Sequence, residues 1–147
     1  LDKRGNDVMK RSLALIMVLA LFCFSLCSCD LVKSPDFYEL SDEDNVPSLT
    51  NVVGDRNVDT MQLSKQYVKY VYKNITDIIS DVETYAGYLV KDEKFSKGNQ
   101  KIKNIDSTGE IVLTKKSPSD SDFLISVKIK WTESKITIEA DRASTII

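Results

Sequence analysis

Histidine is absent from this chain of 147 residues, and glycine, proline and cysteine are scarce, at five, three and three residues. Without histidine there can be no Ser-His-Asp or Cys-His triad and no histidine zinc site, and the commonest general base of enzymes is missing. The glycines stand singly, and the chain has neither a Ser-x-x-Lys sequence nor a Gly-x-Ser-x-Gly elbow. We therefore predict a protein that is not an enzyme, with no catalytic residues, no metal site and no cofactor.

Positive charge is also in short supply, since 20 basic residues face 22 acidic ones. A nucleic-acid partner is not expected, because nothing in the sequence builds a basic field. Acidic residues concentrate between residues 29 and 59, where two prolines, a glycine and no sustained apolar period accompany them. They are Asp30, Asp36, Glu39, Asp42, Glu43, Asp44, Asp55 and Asp59. This composition predicts a flexible, self-repelling tether over residues 29–59.

One long apolar run lies near the start of the sequence. The uncharged stretch from Leu13 to Phe24 follows Met9 and the basic pair Lys10-Arg11. Its length matches the apolar region of a secretory signal and falls short of the roughly 20 residues that a membrane-spanning helix needs. Counting on to Cys29 brings the run to the lower limit for a span, so an uncleaved anchor helix is the alternative.

The run ends in Leu26-Cys27-Ser28-Cys29. This segment resembles the lipobox of bacterial lipoproteins, with a leucine three residues before a cysteine and a small residue directly before it. The residue two before that cysteine is usually alanine or serine, and Cys27, also small, replaces it here. The resemblance covers Met9 to Asp30 only. It implies a signal peptide over residues 9–28 and acyl chains such as palmitate on Cys29.

The lipoprotein resemblance also implies which cysteines remain in the mature chain and where in the cell the protein is located. All three of them, Cys23, Cys27 and Cys29, lie at or before the implied cleavage point, so the mature chain keeps one, and that one is acylated. No disulfide and no reactive thiol are then expected. Two or three acyl chains anchor a protein stably, so membrane lipid, through Cys29, is the implied partner. The location is the cell envelope, in the inner or the outer membrane. Residues 1–8 are predicted to be an upstream extension before the initiator.

Residues 60–147 are predicted to form a small α+β domain. Apolar residues recur every seven positions, with further apolar residues three or four positions after them. This pattern predicts one long amphipathic helix from Thr60 to Val90, with Asp59 or Thr60 as its N-cap. The recurring residues are Met61, Val68, Ile75, Val82 and Leu89. A coiled coil is the alternative. Asp77 and Asp81 lie four apart on this helix and are expected to be a solvated pair rather than a site.

Strand periodicity follows the predicted helix. Alternating apolar and polar residues predict strands at residues 110–116, 123–131 and 135–140, with a short fourth strand at residues 101–106. Short connections make these strands an antiparallel meander, and the long helix is expected to pack on its apolar face. Trp131 is expected in the core. The chain finishes abruptly on Ile146-Ile147, so a C-terminally truncated domain is one interpretation.

These features predict a lipid-anchored bacterial envelope lipoprotein that acts as a non-catalytic binding or assembly module with an envelope protein partner. Two alternatives remain open. One is a surface adhesin or host-ligand binder, and the other is a truncated fragment of a larger lipoprotein. Five tyrosines between residues 67 and 88 form either the margin of the core or a contact surface. The ligand-binding residues and the oligomeric state are not predicted.

Overall fold

The computed structural model describes residues 32–145, in which seven strands and two helices follow one another along the chain. The elements are β1 (Phe37–Glu39), β2 (Asn45–Pro47), α1 (Leu49–Val53), β3 (Asn57–Ser64), β4 (Tyr67–Lys73), α2 (Ile78–Lys91), β5 (Gly109–Lys116), β6 (Phe123–Trp131) and β7 (Lys135–Ser144). β1 and β2 pair as a small antiparallel sheet. The other five strands form one antiparallel sheet in the order β3-β4-β7-β6-β5.

The large sheet has one apolar face, because alternate residues of every strand point to the same side. One row of directly opposed residues shows this across all five strands: Met61, Tyr70, Ile138, Ile129 and Ile111. All of the row except Met61 is buried. The opposite face carries a row that is polar except for its last member: Gln62, Lys69, Glu139, Lys128 and Val112. We call these the inner and the outer face.

Two pieces of the chain cover the inner face. Helix α2 packs against β5, β6 and β7. The β1–β2 hairpin packs against β4, where the ring of Tyr38 stacks on that of Tyr70 with centroids 5.0 Å apart. Tyr85 of α2 joins the two covers, since its hydroxyl donates a 2.8 Å hydrogen bond to the carbonyl oxygen of Pro47. The core therefore lies between the sheet and a layer made of helix and hairpin.

The predicted fold class is wrong, because no long helix exists in the described residues and the protein is mostly β. Residues 57–73 form the β3–β4 hairpin. The helix begins only at Ile78, where the side chain of Asp77, and not Asp59 or Thr60, accepts a hydrogen bond from the N–H of Ser80. The seven-residue recurrence therefore spans two strands, a loop and a helix.

Strand periodicity prevails over helical periodicity in β4 for a physical reason. Val68, Tyr70 and Tyr72 are buried and alternate with the less buried Lys69 and Val71. β-branched and aromatic residues favour a pleated, half-buried surface. The turn that makes the hairpin, Lys65-Gln66, contains none of the usual turn residues, and Gln66 adopts a left-handed φ of 66°. Nothing in the local sequence therefore indicates that turn.

The tether predicted over residues 29–59 is also wrong for the part that the structure describes. Residues 37–58 contribute β1, β2, α1 and the start of β3. The apolar side chains Tyr38, Leu40, Val46 and Leu49 are buried in the main core. Burial of these groups outweighs the repulsion between acidic residues, one of which, Asp44, is itself buried and paired with Arg142.

The later strands lie close to their predicted positions. β5, β6 and β7 pair as an antiparallel meander, and Trp131 is buried as expected. Residues 101–106, predicted as a fourth strand, belong instead to the loop between α2 and β5. β7 continues beyond the predicted end to Ser144, and Ile146 and Ile147 lie outside the described residues.

Candidate functional site

Strand β3 forms one edge of the five-stranded sheet and pairs with β4 alone. A bulge at Asp59 interrupts the ladder between Val58 and Thr60, and pairing is then regular to the turn at Lys65-Gln66. The segment Thr60–Ser64 between bulge and turn is exposed at every residue. Along it, the backbone groups on the side away from β4 face no other described strand, so they are open to hydrogen bonding.

Apolar surface is exposed at the same edge. Met61 lies opposite Tyr70 and Leu63 lies opposite Val68, so both side chains belong to the inner face. Tyr70 and Val68 are buried, whereas Met61 and Leu63 are 50% and 57% exposed. The apolar rows of the sheet thus continue onto β3, beyond the cover of the described helices and the β1–β2 hairpin. An edge strand with exposed apolar side chains is an interaction site or an aggregation hazard.

The opposite edge of the sheet, β5, is closed by the loop after α2. Ser96 and Thr114 exchange two backbone hydrogen bonds of 2.7 and 3.0 Å. The amide side chain of Gln100 imitates a strand, because its Nε2 donates to the carbonyl of Val112 at 2.6 Å and its Oε1 accepts from the N–H of Val112 at 2.8 Å. In the part of the chain that the structure describes, one edge of the sheet is therefore protected and the other is open.

Both ends of the open segment carry charge. At one end, Asp59 pairs with Lys73 in an exposed salt bridge. At the other end, Lys65 is exposed in the turn. The turn itself is held in place because the carbonyl of Gln66 accepts a 2.9 Å hydrogen bond from the N–H of Arg142 on β7. The edge segment is thus supported at the bulge and at the turn.

A buried ion pair fixes the β1–β2 hairpin to the sheet. Oδ2 of Asp44 accepts hydrogen bonds from Ser117 Oγ at 2.5 Å, Ser119 Oγ at 2.8 Å and Arg142 Nε at 2.6 Å. The guanidinium carbon of Arg142 lies 3.6 Å from the centroid of the Phe123 ring. Burial acts to raise the pKa of Asp44, but these hydrogen bonds outweigh it and hold the pKa below its ordinary value. The cluster is a structural clamp.

A chain of hydroxyl groups lies beneath the hairpin. The Tyr72 hydroxyl is 2.7 Å from that of Tyr38 and 2.7 Å from that of Ser34, and the Tyr38 oxygen accepts a 3.1 Å hydrogen bond from the N–H of Leu49. Burial raises the pKa of Tyr72 to about 12, against the lowering effect of Ser34 and Tyr38. Burial also raises the pKa values of Tyr38 and Tyr85. These tyrosines therefore stay neutral and structural near neutral pH.

An open groove of about 600 Å³ lies between the start of the described chain and α2. On its wall, Arg56 donates to both carboxylate oxygens of Asp81, through Nε at 2.6 Å and Nη2 at 2.8 Å. Its Nη1 donates to the carbonyl of Asp55 at 2.8 Å. This pairing ties the loop before β3 to the helix. The other charged residues of the lining are of both signs, Lys33 beside Asp36, Asp55 and Asp77, so the groove does not present a charge of one sign to a ligand.

The structure separates the residues that sequence analysis grouped together. Asp77 caps α2, whereas Asp81 is bound to Arg56, so the expected solvated pair does not form. Tyr67, Tyr70 and Tyr72 lie on β4 and Tyr85 and Tyr88 on α2, so they make no single tyrosine-rich helix edge. Sequence analysis does not find the open edge of the sheet at Thr60–Ser64, because it assigns these residues to the long helix.

The predicted lipidation site, Cys29, lies outside the described residues. Within residues 32–145, neither helix is long and apolar enough to cross a membrane. In the same range, no group of three or more His, Cys, Asp or Glu residues is placed to hold a metal ion.

Comparison of the chain with protein-family models, with curated proteins and with solved structures finds no match. The choice of a site therefore rests on the contacts and exposure of the described residues. Among the surfaces of residues 32–145 considered above, the segment Thr60–Ser64 combines open backbone groups with exposed apolar side chains. We call this segment the β3 edge.

Proposed function

We propose that this protein is a lipid-anchored component of the bacterial cell envelope whose folded unit is a non-catalytic binding or assembly module. Its contact surface is the β3 edge. The observation that carries the proposal is the exposure of Met61 and Leu63 on an edge strand with one open side, in a protein that closes its other sheet edge with Gln100. Proteins commonly cover or charge such an edge, and within residues 32–145 this one does so on one side of the sheet only.

Strand addition is the mode of contact that suits this surface. A partner strand lying along the β3 edge would complete the hydrogen bonds of its backbone, and the alternate side chains would select the partner. On the inner face, Met61 and Leu63 offer apolar contact, while Thr60, Gln62 and Ser64 offer polar contact on the outer face. No proline and no charged residue interrupts residues 60–64.

The lipobox resemblance supplies the location. Acylation of Cys29 would hold the folded unit at a membrane surface, with membrane lipid as its first partner and an envelope protein as its second. Cys27 and Cys29 offer a matched pair of variants. We expect Cys29→Ser to abolish incorporation of a palmitate analogue and cleavage of the signal, and Cys27→Ser to leave both intact. Equal labelling of the two variants, measured by intact mass of the membrane fraction, contradicts the anchor.

Contact through the β3 edge is tested in intact cells with a photo-crosslinking amino acid. Placed at Leu63, it should give covalent adducts of defined mass with an envelope protein, including another copy of this chain. Placed at Lys128 on the outer face of β6, it serves as the control and should give few. Equal adducts from both positions, or none from Leu63 in a folded protein, overturn the β3 edge as the contact surface.

A further inference from the structure

We propose that the partner of the β3 edge is a second copy of this chain, paired antiparallel about a two-fold axis at Gln62. This inference rests on the proposed function and names its partner. In such a dimer the two five-stranded sheets would join into one continuous sheet. A two-fold contact brings the same surface of both copies together, so that surface must be complementary to itself.

The β3 edge and its flanks have this self-complementarity. Read outward from Gln62, the residues on the two sides are complementary: Met61 and Leu63 are apolar, Thr60 and Ser64 carry hydroxyls, and Asp59 and Lys65 carry opposite charges. In an antiparallel pair centred on Gln62, Met61 and Thr60 lie opposite Leu63 and Ser64 of the other copy, and the bulge residue Asp59 and the turn residue Lys65 flank this pairing at each end. Apolar residues meet apolar residues, hydroxyls meet hydroxyls, and opposite charges meet at both ends.

The sheet faces on which these side chains lie are consistent with the Gln62-centred register. Met61 and Leu63 both lie on the inner face, so the two copies would bring four exposed apolar side chains together on one side of the joined sheet. Thr60 and Ser64 lie opposite Val71 and Tyr67, so they belong to the outer face. Thr–Ser pairs and opposite charges on neighbouring strands each stabilise a sheet.

Charge complementarity selects the Gln62-centred register over its neighbours. Lys65 is exposed and makes no ion pair within the described residues, and Asp59 makes only the exposed pair with Lys73. Centring the contact on Met61 would place Asp59 opposite Leu63, and centring it on Leu63 would place Thr60 opposite Gln66. Both shifts lose the ionic ends, and each sets one apolar residue against a charged one: Leu63 against Asp59 in the first and Met61 against Lys65 in the second.

The length of the contact suits copies held on one membrane. Five residues bounded by a bulge and a turn make a short strand, and a contact of this size is weak between freely diffusing molecules. Two copies anchored through Cys29 to the same membrane would meet at a raised effective concentration. The dimer is therefore expected in the membrane and at high concentration, and it should dissociate on dilution in detergent.

Disulfide crosslinking in native membranes tests the pairing directly. Opposed residues of an antiparallel pair have Cα atoms about 4.5–5.5 Å apart, within disulfide range. We expect the full chain with Gln62→Cys to form a disulfide between the introduced thiols of two copies on mild oxidation, identified by peptide mass, and Lys128→Cys to form no corresponding bond. A folded Gln62→Cys protein that yields no such peptide overturns self-pairing. Adducts from Leu63 to another envelope protein would then leave the proposed function standing.

Charge complementation tests the self-pairing through Met61 and Leu63 with a separate readout. The double variants Met61→Glu/Leu63→Glu and Met61→Lys/Leu63→Lys each place like charges opposite one another, so each alone should lose the dimer. Co-expressed with different tags, they should form a mixed dimer, because each Glu then faces a Lys. Since both positions are exposed, the variants should fold. Failure of the mixed dimer, or dimers of either variant alone, contradicts the Gln62-centred register.

Discussion

At the scale of residues, Asp44 illustrates how a buried charge holds this fold together. Its side chain is fully buried and that of Arg142 is 9% exposed, so both charges have left water. Loss of one partner of such a pair leaves the other uncompensated, which costs about 3–5 kcal/mol. Because Oδ1 of Asp44 has no partner among the described atoms, the native pair is not optimal. The lower end of that range is therefore expected.

We predict that Asp44→Asn lowers the free energy of unfolding by about 3 kcal/mol at neutral pH. Chemical denaturation monitored by circular dichroism measures this. Glu43→Gln is the control, because Glu43 is the exposed neighbour of Asp44 and its change should have little effect. Equal loss of stability in both variants contradicts the role given to the buried pair.

The pKa of Asp44 sets the direction in which the stability contributed by the Asp44–Arg142 pair changes with pH. The pKa of Asp44 is lower in the folded protein than its ordinary value. Its stabilising contribution is therefore complete above the unfolded pKa of about 3.9 and is lost as the pH falls through the folded pKa. Burial raises the pKa of Asp141, which acts in the opposite direction. Comparison with Asp44→Asn, in which Asp141 is unchanged, isolates Asp44: the variant should lose less stability below about pH 4.

Replacement of glycine by alanine is expected to change stability in opposite directions at Gly109 and Gly87. A Cβ added at Gly109 would lie 2.6 Å from the ring of Trp131, whereas one added at Gly87 in α2 would meet nothing within 4 Å. We expect Gly109→Ala to destabilise the protein by about 1–3 kcal/mol and to shift the fluorescence of its single tryptophan. Gly87→Ala should stabilise it by about 0.5–1 kcal/mol. A stable Gly109→Ala protein with unchanged fluorescence contradicts the close packing of Trp131.

At the scale of elements, the edge strand β5 is covered by the side chain of Gln100, and this cover can be tested by mutation. Gln100 satisfies both the N–H and the carbonyl of Val112 on β5. Gln100→Leu keeps the approximate volume but leaves both groups open, so we expect a loss of about 1–2 kcal/mol and faster aggregation through β5. Asn99→Leu, at an exposed neighbouring residue, is the control in unfolding and light-scattering measurements. Identical aggregation of the two variants contradicts the closing role of Gln100.

Local alternation was enough to predict β5, β6 and β7, because their apolar residues repeat every second position within each strand. It was not enough for β3 and β4. Met61, Val68 and Val82 satisfy a helical repeat, and the turn at Lys65-Gln66 carries no glycine, asparagine or proline. The pairing of β4 with β7 joins distant parts of the sequence, and no local pattern encodes it. Tertiary packing decided the outcome.

At the scale of the whole molecule, the residues assigned to a tether became part of the core. Tyr38 packs on Tyr70, and Asp44 reaches β7 through Arg142. Composition alone predicted a flexible tether, because a count of charged residues does not show which of them form ion pairs in the fold. The candidate site escaped prediction for a related reason. Which strand lies at an open edge depends on the order of the strands in the sheet, and no local sequence pattern gives that order.

Hydrogen exchange of the full chain tests the central claim, that the β3 edge is occupied in the assembled protein, most directly. We predict that, among residues 60–64, the amides that are not bonded to β4 exchange slowly in native membranes and quickly after dilution in detergent, because pairing with a second strand protects them only in the assembly. Peptides covering Val112 to Thr114 on the closed edge should exchange slowly in both conditions. Rapid exchange of the same amides of residues 60–64 in the membrane, equal to that after dilution, would contradict the account.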